Sequence, residues 1–182
     1  PLSFDVYNYT TYTCICQELV KIFLKKKKKK GIIILDIPYE RNTDFMKLMI
    51  ASDIHGSLHF AKKLVEAYKK EKADKMLLLG DILYHGPRND LPAEYNPKGV
   101  IELLNQFKSE ILCVRGNCDS EVDQMVLDFP VLADYCLLTQ DKTTIYATHG
   151  HIFNESNLPP LQNGDILLHG HTHVPACTAH DN

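Results

Sequence analysis

The residues in this chain best suited to chemistry fall in five short groups: Asp53-Ile54-His55, Gly80-Asp81, Gly116-Asn117, His149 and Gly170-His171-Thr172-His173. Carboxylate, imidazole and amide side chains are donors to divalent metal ions of intermediate softness. Singly, Asp-x-His is a weak signal, because either residue more often caps a helix or hydrogen-bonds locally. Gly-His-x-His is stronger, and the whole set is stronger again. The candidate ligands Asp53, His55, Asp81, Asn117, His149, His171 and His173 outnumber those that one tetrahedral zinc takes. Two ions sharing one bridging ligand fit the set.

Asp81 is the expected bridge, since one carboxylate can bind two cations and offset part of their repulsion. Asp53, His55 and His173 then complete one ion, and Asn117, His149 and His171 the other. Two carboxylates leave two divalent ions under-neutralised. The residual positive charge suits a phosphate group and lowers the pKa of a bridging water, giving hydroxide near neutral pH. A mixed imidazole and oxygen set favours manganese, iron, cobalt or zinc over calcium and argues against an all-oxygen magnesium site.

Such residues need a scaffold that makes them converge. Each group follows a short apolar run: Lys47–Ala51, Met76–Leu79, Ile111–Val114, Thr144–Ala147 and Ile166–Leu168. Runs of this length, bounded by glycine, read as buried strands. In open α/β sheets, ligands collect beyond the carboxyl ends of the strands, which is where these groups fall. Between the first two runs, Ser57 caps a helix with Leu58, Ala61, Leu64, Val65 and Tyr68 on one face, ending near Lys70. Asn96-Pro97 opens a second helix whose buried stripe is Val100, Ile101, Leu104 and Phe107. The loop from Asp81 to Asn96 is long for a compact domain, which marks it as functional. Val131–Leu138 and Thr143–Thr148 read as a hairpin around Gln140-Asp141, bringing antiparallel pairing into the architecture.

Composition narrows the classes. With 182 residues and 45% hydrophobic content, the chain can form one well-packed domain, and no apolar stretch approaches membrane-spanning length. A net charge of −3 argues against a surface built to coat nucleic acid. The cysteines, at 14, 16, 113, 118, 136 and 177, read as free thiols of a reducing cytoplasm. Residues 1–45 are unlike the rest. They open on Pro1, contain the run Lys25–Lys30 and show no amphipathic period. They are expected to be a leader, disordered or translated from upstream, with Met46 as the natural start; a short strand over Ile32–Ile37 is limited to an edge by Pro38.

Beyond the ligand groups, Ala51-Ser52-Asp53-Ile54-His55-Gly56-Ser57, His85-Gly86-Pro87-Arg88-Asn89 and the segment from Val114 through Gly116-Asn117-Cys118-Asp119 to Met125 carry a resemblance. From Met46 to about Pro175 the chain resembles the calcineurin-like metallophosphoesterases, and within them the YfcE-type bacterial phosphodiesterases. The resemblance implies a four-layer α/β/β/α sandwich and a dinuclear metal hydrolase that cleaves a small phosphodiester by attack of a bridging hydroxide. Asp81, Asn117 and Cys118 are then the expected catalytic residues, and His85, Arg88 and Asn89 the expected substrate contacts. Arg88 is singled out because its planar fork suits phosphate oxygens. Two divalent ions are expected, manganese first, with iron, cobalt or zinc as alternatives. Neither a membrane nor an obligatory nucleic acid is expected as a partner, and homo-oligomerisation is left open.

Two departures from the family pattern matter. Many relatives place His after the motif asparagine, where this chain has Cys118, as the YfcE-like subgroup does; a bound water or His85 are alternative proton donors. Relatives also continue past the Gly-His-x-His motif, so the second sheet is expected to be incomplete through truncation, and the chain to fold poorly. Rival readings are a non-catalytic scaffold on the same fold, a phosphomonoesterase or nuclease of the superfamily, and a structural zinc protein. The full set of seven ligands weighs against the scaffold, and the lack of paired cysteines outside Cys14-x-Cys16 weighs against structural zinc.

Overall fold

A computed structural model of the chain describes residues 2–5, 33–38, 45–140, 142–174 and 176–179. The lysine run Lys25–Lys30, Asp141, Cys14 and Cys16 lie outside them. Two sheets carry the architecture. The first has the order β2-β3-β4-β5, formed by Ile33–Pro38, Phe45–Ala51, Lys75–Leu78 and Ile111–Cys113. The strands β3, β4 and β5 are parallel, and β2 pairs antiparallel along the free side of β3. Proline-containing β2 thus occupies an edge. The second sheet has the order β6-β7-β8-β1-β9, formed by Tyr135–Gln140, Thr143–Thr148, Ile166–His169, Leu2–Asp5 and Cys177–Ala179. Here β6 and β7 form the antiparallel hairpin, β7, β8 and β1 run parallel, and β9 returns antiparallel to β1.

Successive side chains of a strand point to opposite faces, and β3 and β4 use both. Met49, Ala51, Met76 and Leu78 face a core shared with the helices, while Leu48, Ile50, Leu77 and Leu79 face the second sheet. Helix α1 (Leu58–Glu71) is capped by Ser57, whose hydroxyl accepts from Phe60 N, and buries Ala61, Leu64 and Val65 in the helical core. Helix α2 (Pro97–Asn105) is capped by Asn96, which accepts from Gly99 N, with proline in its first turn; it buries Val100 and Leu104. On the other side of the first sheet, Val114, Ile145, Ala147, Ile166 and Leu168 complete the core between the sheets. The expected α/β/β/α order is met from the first helical layer through both sheets.

One boundary differs from expectation. The strand predicted from Val131 begins at Tyr135. Val131 instead tucks into the helical core beside Leu127 and Phe129, held by its N–H donating to Gln124 Oε1 at 2.9 Å. This segment follows the short helix α3 (Glu121–Gln124), closed by a capping box between Ser120 and Asp123, and Pro130 precedes it. The chain here is crossing from one layer to the other, and Arg115 N donates to Ala133 O on the way. Among the described residues, no helix is long and apolar enough to cross a membrane.

Candidate metal centre

All five motif groups lie on turns at the carboxyl ends of β3, β4, β5, β7 and β8, at the seam between the sheets. The first two turns are zipped together by their backbones: Asp53 N donates to Gly80 O, His55 N to Asp81 O and Gly56 N to Ile82 O, at 2.8 to 3.1 Å. The β8 turn crosses to the first sheet, where His171 N donates to Asp53 Oδ2 at 3.0 Å. Gly80 has φ +92° and lies against Gly116, so a side chain at either glycine would collide with the other turn. Asp119, not singled out from sequence, locks the same pair of turns. Its buried carboxylate accepts from Asp81 N at 2.8 Å, Gly116 N at 2.7 Å and Ile82 N at 2.9 Å. Burial pushes its carboxyl above the usual range, and the three N–H groups offset only part of that.

The side chains gather in two groups. Asp53, His55 and His173 form one, and Asp81, His149 and His171 the other, the candidate donor atoms of each lying within 4.8 Å of one another. Asn117 joins the second group, its Oδ1 3.0 Å from His149 Nε2. Asp81 stands between the groups, with Oδ2 3.4 Å from His149 Nε2 and 3.6 Å from His55 Nε2. Asp53, Asp81, His55 and His149 are buried.

The hydrogen bonds of two rings test whether these groups suit a cation. His149 Nδ1 lies 2.6 Å from Leu79 O, and His55 Nδ1 lies 2.7 Å from Tyr84 O. A carbonyl only accepts, so Nδ1 carries the proton and Nε2 of the neutral ring is left with a lone pair. Those lone pairs face other acceptors: Asp81 and Asn117 oxygens around His149, and Asp53 and Asp81 oxygens around His55. Lone pairs facing oxygens at 3.0 to 3.6 Å are stabilised by positive charge among them, a proton or a metal ion, and the same Nε2 atoms of His55 and His149 lie 3.2 Å from His173 Nε2 and from His171 Nδ1, respectively. The second ring nitrogen tied to a backbone carbonyl is the usual outer support of a metal-bound histidine. The donor set therefore fits divalent ions.

Without metal, protons take that role. Burial opposes charge on His149, but the adjacent Asp81 carboxylate overrides it and lifts the ring to about 8. Burial raises Asp53 and Asp81, yet the rings of His173 and His55, and of His149, hold both carboxyls below the usual range. Burial, with the Asp81 carboxylate close by, pushes the Cys118 thiol up to about 12.

A pocket opens over these groups. Arg88 and Asn89 line it from the long loop, facing Asn117, Cys118 and Thr172. His85 is placed differently from the other expected substrate contacts. It is absent from the pocket wall; its ring packs edge-on against Tyr84 and Tyr95, and its carbonyl accepts from Asn89 Nδ2 at 2.8 Å. Arg115 lies near Glu121 at 3.7 Å, an exposed pair of little energetic weight.

The backbone carries a feature with no marker in the sequence. Seven non-glycine residues among those described have positive φ, and five are candidate ligands: Asp53 (57°), His55 (49°), Asp81 (54°), His171 (72°) and His173 (55°). Left-handed backbone is uncommon outside glycine, although Asp and His tolerate it better than most. It turns each side chain back toward the seam.

A helical layer, a two-sheet core and a seam of carboxylates and imidazoles define a metallophosphoesterase, and the Calcineurin-like phosphoesterase superfamily domain matches residues 46–182. The chain belongs to that superfamily and is a hydrolase. Over 130 residues it is 49% identical to phosphodiesterase YfcE of Escherichia coli (strain K12), an alignment covering 71% of each chain. It is 24% identical over 137 residues to phosphodiesterase MJ0936 of Methanocaldococcus jannaschii, covering 70% of this chain and 74% of that one. The solved structure of the Escherichia coli phosphoesterase YfcE matches with a TM-score of 0.69 at 49% identity, over 70% of each chain.

Proposed function

We propose that this chain is a phosphodiesterase that hydrolyses a small phosphodiester with two divalent ions, manganese first. The observation that carries the reading is the pair of donor groups joined by Asp81 beneath a pocket walled by Arg88 and Asn89. Asp53, His55 and His173 would hold one ion, Asn117, His149 and His171 the other, with Asp81 between them. Such ions supply Lewis-acid polarisation of phosphoryl oxygens and acidify water into the neutral range.

The chain's own residues do the rest. Arg88 binds non-bridging phosphate oxygens through its fork, and Asn89, steadied by the His85 carbonyl, closes the same side. The Leu79 and Tyr84 carbonyls fix the orientation of His149 and His55, which keeps Nε2 of each ring aimed at the seam. Water attacks phosphorus in line and the new P–O bond forms as the ester P–O bond breaks; one proton of the water stays on the monoester product and the other passes through solvent to the departing alkoxide. Asp53 and Asp81 are buried among histidines, which removes them as nucleophiles, so no covalent phosphoenzyme forms. Cys113, Cys118 and Cys136 are free thiols, the form a reducing cytoplasm maintains, and the cytoplasm is the location we assign.

Hydrolysis of bis-p-nitrophenyl phosphate by metal-stripped protein titrated with Mn²⁺ tests the reading. Turnover is expected to rise with manganese and to vanish in Asp81→Asn. Tight binding of two ions without turnover on diesters would replace it with the scaffold reading.

A further inference from the structure

On the His149 side of the centre, aromatic rings follow one another outward from the candidate ligands. His151 is exposed, with its ring 5.4 Å from that of His149 and 6.2 Å from that of His171, yet it belongs to none of the groups of donor atoms among the described residues. Two residues on, Phe153 meets Tyr146 edge-on with 6.0 Å between centroids, and Tyr146 stacks on Tyr135 at 5.0 Å and 24°. Backbone pairing fixes where this stack lies. Tyr135 is the register partner of Thr148, the residue before His149, and Arg115 N, two residues before Asn117, donates to Ala133 O. Both neighbours lead directly into expected ligands of the second ion. Because Cys136 and Leu138 pack against the core between the sheets, alternation places Tyr135 and Tyr146 on the outer face of the second sheet. Tyr146 is buried, whereas Tyr135 is 51% and Ile152 52% exposed, so the ring surface open to a ligand is that of Tyr135. A tyrosine already held by a stacked neighbour loses little further freedom when a ligand covers it.

We propose that Tyr135, backed by Tyr146 and Phe153, is a subsite for one ester arm of the substrate, and that this arm carries a flat aromatic ring. The proposal rests on the phosphodiesterase reading above and extends it from the phosphoryl group to what that group carries. The phosphoryl group sits in the pocket walled by Arg88, Asn89 and His171. The arm leaves past His171, crosses His151 and Ile152, and lays its ring on the exposed face of Tyr135 in an offset stack. Stacking of this kind tolerates any π-face, so a nucleoside base and a simple aryl group are two sources of the same chemistry.

The test is calorimetry on the manganese-loaded full chain with three unreactive, singly charged mimics of a diester: the 2-phenylethyl, adenosine 5′- and ethyl esters of methylphosphonic acid. At least one ring-bearing ester is expected to bind about tenfold more tightly than the ethyl ester, the scale of one ring stacked on an aromatic side chain, and the ester that shows the preference identifies the source. Tyr135→Leu keeps apolar area but removes the flat face. It should weaken that ester about tenfold, to the level of the ethyl ester, and leave the Kd of the ethyl ester unchanged. Tyr135→Phe should retain the preference. Equal Kd for all three esters, a preference that survives in Tyr135→Leu, or a loss shared equally by the ethyl ester overturns the subsite and leaves the phosphodiesterase reading standing. Binding of none of the three overturns both.

Discussion

His149 shows what the seam demands of a single side chain. One ring nitrogen is committed to the Leu79 carbonyl, and the other faces Asp81 and Asn117 in a fully buried setting. Its metal-free pKa is raised from 6.5 to about 8. The protonated ring therefore contributes stability that is fully present below pH 6.5 and is lost as pH rises through about 8, on the order of 2 kcal/mol. Metal binding runs the other way, because the ion must displace that proton. Manganese affinity, measured by calorimetry from about pH 6 to about pH 9, is expected to climb and then level above the His149 pKa. A flat profile would mean that His149 does not compete with the ion.

Turns and strands, rather than isolated residues, set the precision of the centre. Asp119 joins the β4 and β5 turns through three buried N–H groups. Asp119→Ala leaves those donors without an acceptor, so urea denaturation should report a loss of about 3 kcal/mol. A loss within error would mean that the two turns hold their geometry unaided. The five strands that end at candidate ligands were legible because a buried strand writes itself as an apolar run, and both helix starts were legible because Ser57 and Asn96-Pro97 are local capping signals. The gathering of seven side chains at one seam followed from the same pattern. What escaped was non-local. Asp119 reads as an ordinary turn residue until its partners at Asp81, Ile82 and Gly116 are adjacent, and nothing near His85 signals that its ring packs edge-on against Tyr84 and Tyr95. Val131 has strand composition, yet it serves the helical core because the chain is changing layers there.

At the scale of the whole molecule, the proposed division is a metallophosphoesterase domain over 46–182 and a separate leader over 1–45. Among the described residues, both core clusters and every candidate ligand lie at or beyond Leu48, whereas β1 supplies the pairing between β8 and β9 and β2 lines β3. A chain beginning at Met46 is expected to melt in one cooperative transition and to bind two ions, as scanning calorimetry and metal analysis would show. A broad, non-cooperative melt would make the two strands part of the domain. The left-handed backbone at Asp53, His55, Asp81, His171 and His173 bears on how such a centre persists over generations. Each of these positions holds a conformation disfavoured by roughly 1 kcal/mol or more for a side-chain-bearing residue, so the centre is maintained against a standing stability gradient. A lineage released from the need to catalyse would gain stability by drifting to glycine or asparagine at these five positions, and the centre would erode from its turns before its strands changed.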